Sequence, residues 1–93
     1  MPWIAGFIWD EENLSHIARH HVAPEEVEEA LAAAPVVLRS GDERYLGHGR
    51  TESGRLLFVV YVRRPRGRIR VITSREMTES ETRWWRRLTR GRR

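Results

Sequence analysis

The feature that most constrains the fold is a short apolar run, residues 56–62, in which both alternating sets of side chains are hydrophobic. Successive side chains of a β-strand point to opposite faces, so such a strand is stable only when both of its faces are covered. The run is far shorter than the roughly 20 apolar residues that a membrane-spanning helix needs. It therefore predicts the central strand of a sheet with packed layers on both sides.

Three further strands are predicted around this run, at residues 36–38, 44–49 and 69–73. The links between the strands are short and rich in turn-forming residues, which favours antiparallel pairing. The last strand has two unlike faces: one carries Ile69, Val71 and Thr73, and the other carries Arg68, Arg70, Ile72 and Ser74. We therefore expect guanidinium groups to project from the sheet beside its core.

The N-terminal third predicts a short strand at residues 3–9 and two helices. Asp10 is a good N-cap for a first helix over residues 10–21, and Pro24 suits the first turn of a second helix that continues to Pro35. Helical spacing gives each helix an apolar stripe. The first stripe is Leu14, Ile17, Ala18 and His21, and the second is Val27, Ala30, Leu31 and Ala34.

A last helix is predicted to begin after Thr78, because Thr78 and Glu81 have the spacing of a capping box, and to end near Leu88. Trp84 and Leu88 share a face of this helix, and we expect the basic tail, residues 89–93, to fray. The predicted fold is α+β: a short N-terminal strand, two helices, an antiparallel sheet of three to four further strands and a C-terminal helix. Its length, 93 residues, is that of a single domain over residues 1–93.

Charge is unevenly distributed along the chain. Residues 1–31 contain one arginine and seven acidic residues, whereas residues 63–93 contain twelve arginines and three acidic residues. The basic end indicates a polyanion or an acidic protein as partner. Cysteine is absent, which excludes disulfides, thiolate nucleophiles and cysteine-ligated zinc. The first nine residues lack the pattern of a signal peptide, so we expect a cytoplasmic protein that does not enter a membrane.

Several blocks of the sequence, in their order and spacing, resemble the BrnT toxins. The blocks are residues 7–10, 16–22, 24–27, 43–47, 54–56 and 70–78, and the likeness extends over residues 7–85. The resemblance implies a RelE-like fold and a ribonuclease toxin of a type II toxin–antitoxin pair that cleaves RNA without a metal or cofactor and so inhibits translation and growth. It also implies a ribbon-helix-helix antitoxin, similar to BrnA, which neutralises the toxin and through which alone the complex contacts operator DNA.

The chain departs from the family pattern at the end of its first helix. The family often has Asn and then Lys-His-Gly where this chain has His16 and then Arg19-His20-His21. If the family glycine ends the helix with a positive φ, His21 must adopt that conformation, which histidine does more often than most residues.

RNA cleavage requires a group that takes the 2′-OH proton, a cation that stabilises the phosphoryl oxygens and an acid that protonates the leaving 5′-oxygen. Arg70 and Arg75 are the candidates for the phosphate, although both could instead pair with helix acids. His20 and His16 are the candidates for proton transfer, because residues four apart lie together on a helix. The alternatives are that one of them caps or packs, or that the pair contacts the antitoxin. No third ligand stands at a zinc-binding spacing, so we predict no metal site.

Four residues are candidates for substrate binding: Arg44, Arg68, Tyr61 and Trp85. Arg44 could equally be a solvated charge, and core packing is the first interpretation of Tyr61. Trp85 lies in an arginine-rich helix, where an aromatic ring can stack on a base. Trp84 is predicted to be buried and His48, between two glycines, to lie at the surface.

Two other interpretations remain open from the sequence. The chain could be a non-catalytic module whose basic third docks on nucleic acid, in which case RNA affinity would fall steeply with salt and no product would form. It could also act mainly as one half of a complex whose positive groove receives a partner strand or helix.

Overall fold

A computed structural model describes residues 4–33 and 35–90. In this part of the chain, the elements follow in the order β1 (Gly6–Ile8), α1 (Glu11–Ala18), α2 (Pro24–Ala32), β2 (Val36–Ser40), β3 (Arg44–Arg50), β4 (Leu56–Arg63), a 3₁₀ turn (Pro65–Gly67), β5 (Arg68–Glu76) and α3 (Glu79–Thr89). The strands form one five-stranded sheet in the order β1-β5-β4-β3-β2. The predicted α+β class is confirmed, with four strands after the N-terminal one.

Strand β4 is the middle strand of this sheet, as the apolar run predicts. Leu57 and Val59 are fully buried, and Val60 to Val62 are each less than a tenth exposed. The neighbours β3 and β5 both pair with β4 in antiparallel fashion, and β2 pairs with β3 in the same way. Only β1, within the described residues, runs parallel to its neighbour β5, so the sheet is mixed rather than antiparallel throughout.

Helices α1 and α2 pack on one face of the sheet. Ile17, Val27 and Leu31 contribute to a buried cluster with residues of β4 and β5, and all three are at most 1% exposed. The α2 stripe is confirmed at Val27, Ala30 and Leu31, whereas Ala34 lies outside the described residues. Strand β3 permits this packing through Gly49, because a Cβ atom there would lie 2.1 Å from the Ala30 carbonyl oxygen.

The predicted stripe of α1 is wrong except at Ile17. Asn13 faces the sheet instead, 1% exposed, and its side-chain amide donates hydrogen bonds to the carbonyls of Ile8 and Val71. Leu14 is 37% exposed, and Ala18 and His21 are also exposed. The face of α1 turned to the sheet therefore carries Asn13 and Ile17, and the buried amide of Asn13 is satisfied by two strand carbonyls.

Helix α1 ends at Ala18, before the predicted boundary at residue 21. His21 has φ 59°, the left-handed conformation expected at this point, and its backbone N–H donates to the Ala18 carbonyl. Asp10 caps the helix by accepting a hydrogen bond from the Asn13 N–H, as predicted.

Helix α3 lies against the other face of the sheet. Its N-terminus is the predicted capping box, in which the Thr78 hydroxyl accepts from the Glu81 N–H and the Glu81 carboxylate accepts from the Thr78 N–H. Trp84 is half-buried against His48, with ring centroids 4.8 Å apart, but Leu88 is 46% exposed. The fraying expected of the tail concerns residues 89–93, of which 91–93 lie outside the described residues. Nowhere in residues 4–33 and 35–90 is a helix both long and apolar enough to cross a bilayer.

Candidate active site

The two arginines predicted to bind phosphate lie on the same face of β5, and a β-bulge is the reason. In a regular strand, residues five apart point to opposite faces. The register of β5 against β4 shifts near Ile72, so that Arg70 lies opposite Val62 and Arg75 lies opposite Phe58. Directly paired residues share a face, and Val62 and Phe58 are four apart. The shift also turns Ser74 into the core, where it is fully buried, so its predicted place beside Arg70 is wrong.

Arg70 is held by the N-terminus of α1. Its Nε and Nη2 atoms donate to the Asp10 carboxylate, and Nη2 also donates to Glu12 Oε1 at 2.9 Å. Hydrogen bonds from the Asn13 N–H and from Arg70 lower the pKa of Asp10. The remaining nitrogen, Nη1, has no acceptor among the described residues and is free to bind a ligand oxygen.

Arg75 is held by the N-terminus of α3. Its Nη1 and Nη2 atoms donate to the two carboxylate oxygens of Glu81 at 2.8 and 3.0 Å, and its guanidinium lies 4.4 Å from the centre of the Phe58 ring. Chiefly because of Arg75, the pKa of Glu81 falls from 4.5 to about 2. Arg75 Nε has no acceptor in the described part of the chain. The pairing of both arginines with helix acids, one alternative left open by the sequence, is therefore present.

The two candidate histidines lie beside the same strand. The first turn of α1 lies near Val71 of β5, whose carbonyl accepts a hydrogen bond from the Asn13 side chain. The turn after α1 contacts Arg55, which donates hydrogen bonds to the His21 carbonyl and to Glu76 at the end of β5. His16 and His20 are both exposed along this stretch. Because α1 ends at Ala18, His20 lies in the turn beyond the helix, and no contact among the described residues joins either imidazole to Arg70 or Arg75. Three clefts in the described part of the chain are lined by other residues and include none of His16, His20, Arg70 and Arg75.

His48 is a candidate functional residue that the sequence analysis missed. It is only 4% exposed, so its predicted surface position is wrong, and its ring packs against Phe58 and Trp84. Burial lowers the pKa of His48, the charge of Glu81 opposes this change, and the charge of Arg75 reinforces it. Its Nδ1 atom is buried without a hydrogen-bond partner in the described residues. It lines a cleft of about 350 Å³ together with Glu81 and the apolar side chains of Leu38 and Leu46.

Two of the predicted substrate-binding arginines share the face of Arg70. Arg44 of β3 and Arg70 of β5 both pair with Val62 of β4. Arg44, Val62 and Arg70 therefore form one row across the sheet. Arg44 is exposed and has no ion pair with a described residue. Arg68 is also exposed and lies two residues before Arg70. Arg44 and Arg70 are two strands apart in this row, so their backbones are about 10 Å apart.

Tyr61 and Trp85 lie elsewhere. Tyr61 points to the α1–α2 face, is 5% exposed and stacks on Tyr45 with centroids 5.4 Å apart, so it packs in the core, away from the arginines. Burial raises its pKa. Trp85 is a half-buried residue in the second half of α3. Tyr61 is therefore not part of the site proposed below.

Metal ligands do not gather in the described part of the chain. No group of three or more His, Cys, Asp or Glu side chains there is arranged to hold a metal ion.

Comparison with known proteins identifies the family of the chain and a similar fold. A sequence model of a family described as "Ribonuclease toxin, BrnT, of type II toxin-antitoxin system" matches residues 9–81. The fold is similar to that of the Brucella abortus ribonuclease toxin BrnT, solved at 1.1 Å resolution, with a TM-score of 0.65 and 21% identity over 80% of this chain and 97% of that one. A search of curated proteins gave no match. The chain belongs to the BrnT family of ribonuclease toxins of type II toxin–antitoxin systems.

Proposed function

We propose that this protein is a metal-independent endoribonuclease whose cleavage of RNA inhibits translation and growth. The observation that carries the proposal is the bulge in β5, which brings Arg70 and Arg75 to one face of the sheet. Bulges commonly re-aim side chains next to active sites. Each arginine is fixed by a carboxylate and retains a nitrogen that has no acceptor among the described residues, which suits it to bind the RNA backbone.

In the proposed reaction the 2′-OH attacks the adjacent phosphorus, a 2′,3′-cyclic phosphate forms and the 5′-oxygen leaves. Arg75 stabilises the charge that develops on the phosphoryl oxygens, and Arg70, together with Arg44 and Arg68, holds the flanking backbone. His20, with His16, accepts the 2′-OH proton and returns a proton to the 5′-oxygen, for which an imidazole is suited near neutral pH. Proton, electron pair and leaving group are then all accounted for without a metal ion.

The partner proposed for the toxin is a ribbon-helix-helix antitoxin similar to BrnA. It would neutralise the toxin in the cytoplasm, and the complex would contact operator DNA through the antitoxin. The membership of the family in type II toxin–antitoxin systems supports this assignment.

The first test compares growth and RNA cleavage for the wild type, Arg75→Gln and His20→Ala. Expression of the wild type without an antitoxin is expected to arrest growth, and the purified protein is expected to cleave RNA in excess EDTA. Both variants are expected to lose at least about 100-fold in cleavage rate, the usual cost of removing a charge-stabilising or proton-transfer group.

Matched controls separate the site from general effects of charge. Arg83→Gln removes an exposed arginine of α3, and His21→Asn replaces an exposed histidine with a residue that tolerates its positive φ. Both controls should remain toxic, and thermal unfolding should show that every variant is folded. Normal growth and intact RNA with a folded wild-type protein would refute the enzyme and favour a non-catalytic binding module.

A further inference from the structure

A second region of the molecule, distant from Arg70, has the chemistry of a binding site. It is a cleft of about 520 Å³ between the β3–β4 hairpin and the second half of α3. Arg50 of β3 lines one side, and Trp85 and Arg86 of α3 line the other. Arg50 follows His48 by two residues and so lies on the same sheet face, about 7 Å further along the strand.

The cleft has positive charge that the fold does not neutralise. Arg50 and Arg86 are both exposed, and neither makes a hydrogen bond or an ion pair with a residue that the structure describes. By contrast, Arg55, Arg70 and Arg75 all bind carboxylates. The residues that line this cleft include no acidic side chain. Two unpaired guanidinium groups facing one cavity favour an anion, and a phosphate matches their geometry best.

Trp85 adds an aromatic surface to the same cleft. Its side chain also lines an adjoining cleft of about 340 Å³, which shares Arg50 with the first. The indole Nε1 atom is buried and has no hydrogen-bond acceptor among the described residues, which leaves a polar group unsatisfied. The adjoining cleft contains Glu29 and Glu52, so a phosphate is favoured in the larger cleft, which Arg50 and Arg86 line without an acidic residue.

An aromatic ring beside guanidinium groups is the usual means of binding single-stranded nucleic acid, because the ring stacks on a base while the cations contact phosphate. A cavity of about 520 Å³ is within the range that holds molecules the size of a nucleotide. An acidic peptide would use the two arginines but not the ring. The combination of groups therefore favours RNA over a protein segment.

We propose that this cleft binds one nucleotide of a single-stranded RNA, with its phosphate at Arg50 and Arg86 and its base on Trp85. The inference rests on the proposed ribonuclease function and extends it, since the cleft would hold substrate a few nucleotides from the phosphate at Arg75. It assigns to Arg50 and Arg86 a role that their positions in the sequence do not indicate.

The experiment measures binding of a fluorescein-labelled, fully 2′-O-methylated RNA of about 12 nucleotides, which cannot be cleaved because the attacking hydroxyl is blocked. Arg50→Gln and Arg86→Gln are expected to raise the Kd about tenfold and to lower the slope of log Kd against log salt by about 0.7 each. Trp85→Leu is expected to raise the Kd without changing that slope, because stacking releases no counterion. Arg87→Gln, an exposed neighbour on α3 outside the cleft, is the matched control and should change the Kd less than about twofold.

Three results would overturn the inference: equal weakening by all three arginine variants, no weakening by Arg50→Gln or Arg86→Gln, or tighter binding of poly-glutamate with the same dependence on these residues. Thermal unfolding of each variant excludes loss of the fold as a cause. Cleavage of the unmodified RNA is assayed in parallel. Specific binding without any cleavage would refute the proposed enzyme but support the cleft, whereas cleavage that is insensitive to the cleft variants would do the reverse.

Discussion

At the scale of single residues, Glu81 couples the start of a helix to the position of a proposed catalytic residue. Its Oε1 atom accepts hydrogen bonds from the Thr78 N–H and from Arg75 Nη1, both at 2.8 Å. The same carboxylate therefore completes the capping box of α3 and orients the guanidinium on β5. A substitution at Glu81 is expected to disturb both the helix and the proposed site.

Glu81→Gln should reveal this coupling through its pH dependence. The Glu81 pKa in the folded protein is about 2, below the ordinary 4.5, so the carboxylate stabilises the fold fully above about pH 4.5 and loses this effect as the pH falls toward 2. Because the Arg75–Glu81 pair is partly exposed, we expect the substitution to lower the free energy of unfolding by about 1 kcal/mol at pH 7. Urea unfolding at about pH 7 and about pH 3 should show this difference shrinking as the wild-type carboxylate becomes protonated.

A variant of a neighbouring acid provides the comparison. Glu79→Gln also removes an acidic residue from the first turn of α3 but has no ion pair among the described residues, so its effect should be smaller. A Glu81→Gln deficit that stays constant between the two pH values would contradict the assigned ion pair.

The sequence predicted local backbone conformation better than it predicted which side chains are buried. The capping roles of Asp10 and Thr78 follow from hydrogen bonding within a few residues, whereas the positive φ of His21 was expected from the family resemblance; all three are confirmed. The burial of His48 could not be predicted, because it depends on α3 crossing the sheet from a distant part of the chain. Its position between two glycines gave only a weak signal of close packing.

At the scale of secondary-structure elements, the β-bulge is the feature that sequence periodicity misses most. Regular alternation places Thr73 with Val71 and Ser74 with Arg70, whereas the shifted register exchanges their faces. The bulge depends on how β5 pairs with β4, and the alternation of residues within β5 carries no information about that pairing. The central position of β4 was predictable because both alternating sets of its side chains are apolar.

The close approach of α2 to β3 makes Gly49 the position most sensitive to an added methyl group. A Cβ there would lie 2.1 Å from the Ala30 carbonyl oxygen and 2.8 Å from its carbon, and backbone atoms cannot rotate away. Gly49→Ala is therefore expected to lower the free energy of unfolding by about 2–3 kcal/mol, as overpacked cores do. Chemical denaturation of the purified variant measures this loss.

Gly6→Ala is the control for this prediction. Gly6 also lies in a strand, but its added Cβ would come no closer than 3.8 Å to the Arg68 side chain. Its effect should stay within about 0.5 kcal/mol. Similar losses for the two variants would mean that α2 does not press on β3 at Gly49.

At the scale of the whole molecule, the opposite charges of the two ends of the chain are partly neutralised by the fold. Acidic residues of the N-terminal third pair with arginines of the later strands, at Arg55–Glu26, Arg70–Asp10 and Arg70–Glu12. Other arginines, including Arg44, Arg50 and Arg86, have no such partner in the described residues. The protein thus has one set of arginines that supports the fold and another that is free to bind a polyanion.

Salt should separate these two sets. Partly exposed ion pairs contribute up to about 1 kcal/mol each, and screening weakens them only in part, so the free energy of unfolding should change by less than about 1 kcal/mol between low and high salt. RNA binding should be far more sensitive, because each phosphate contact with a single strand adds about 0.7 to the slope of log Kd against log salt. With about four contacts, raising NaCl from about 50 to about 500 mM should weaken binding of the 2′-O-methylated RNA several hundredfold. Parallel changes in stability and affinity would mean that the ion-paired arginines, rather than unpaired ones such as Arg44, Arg50 and Arg86, supply most of the contacts with RNA.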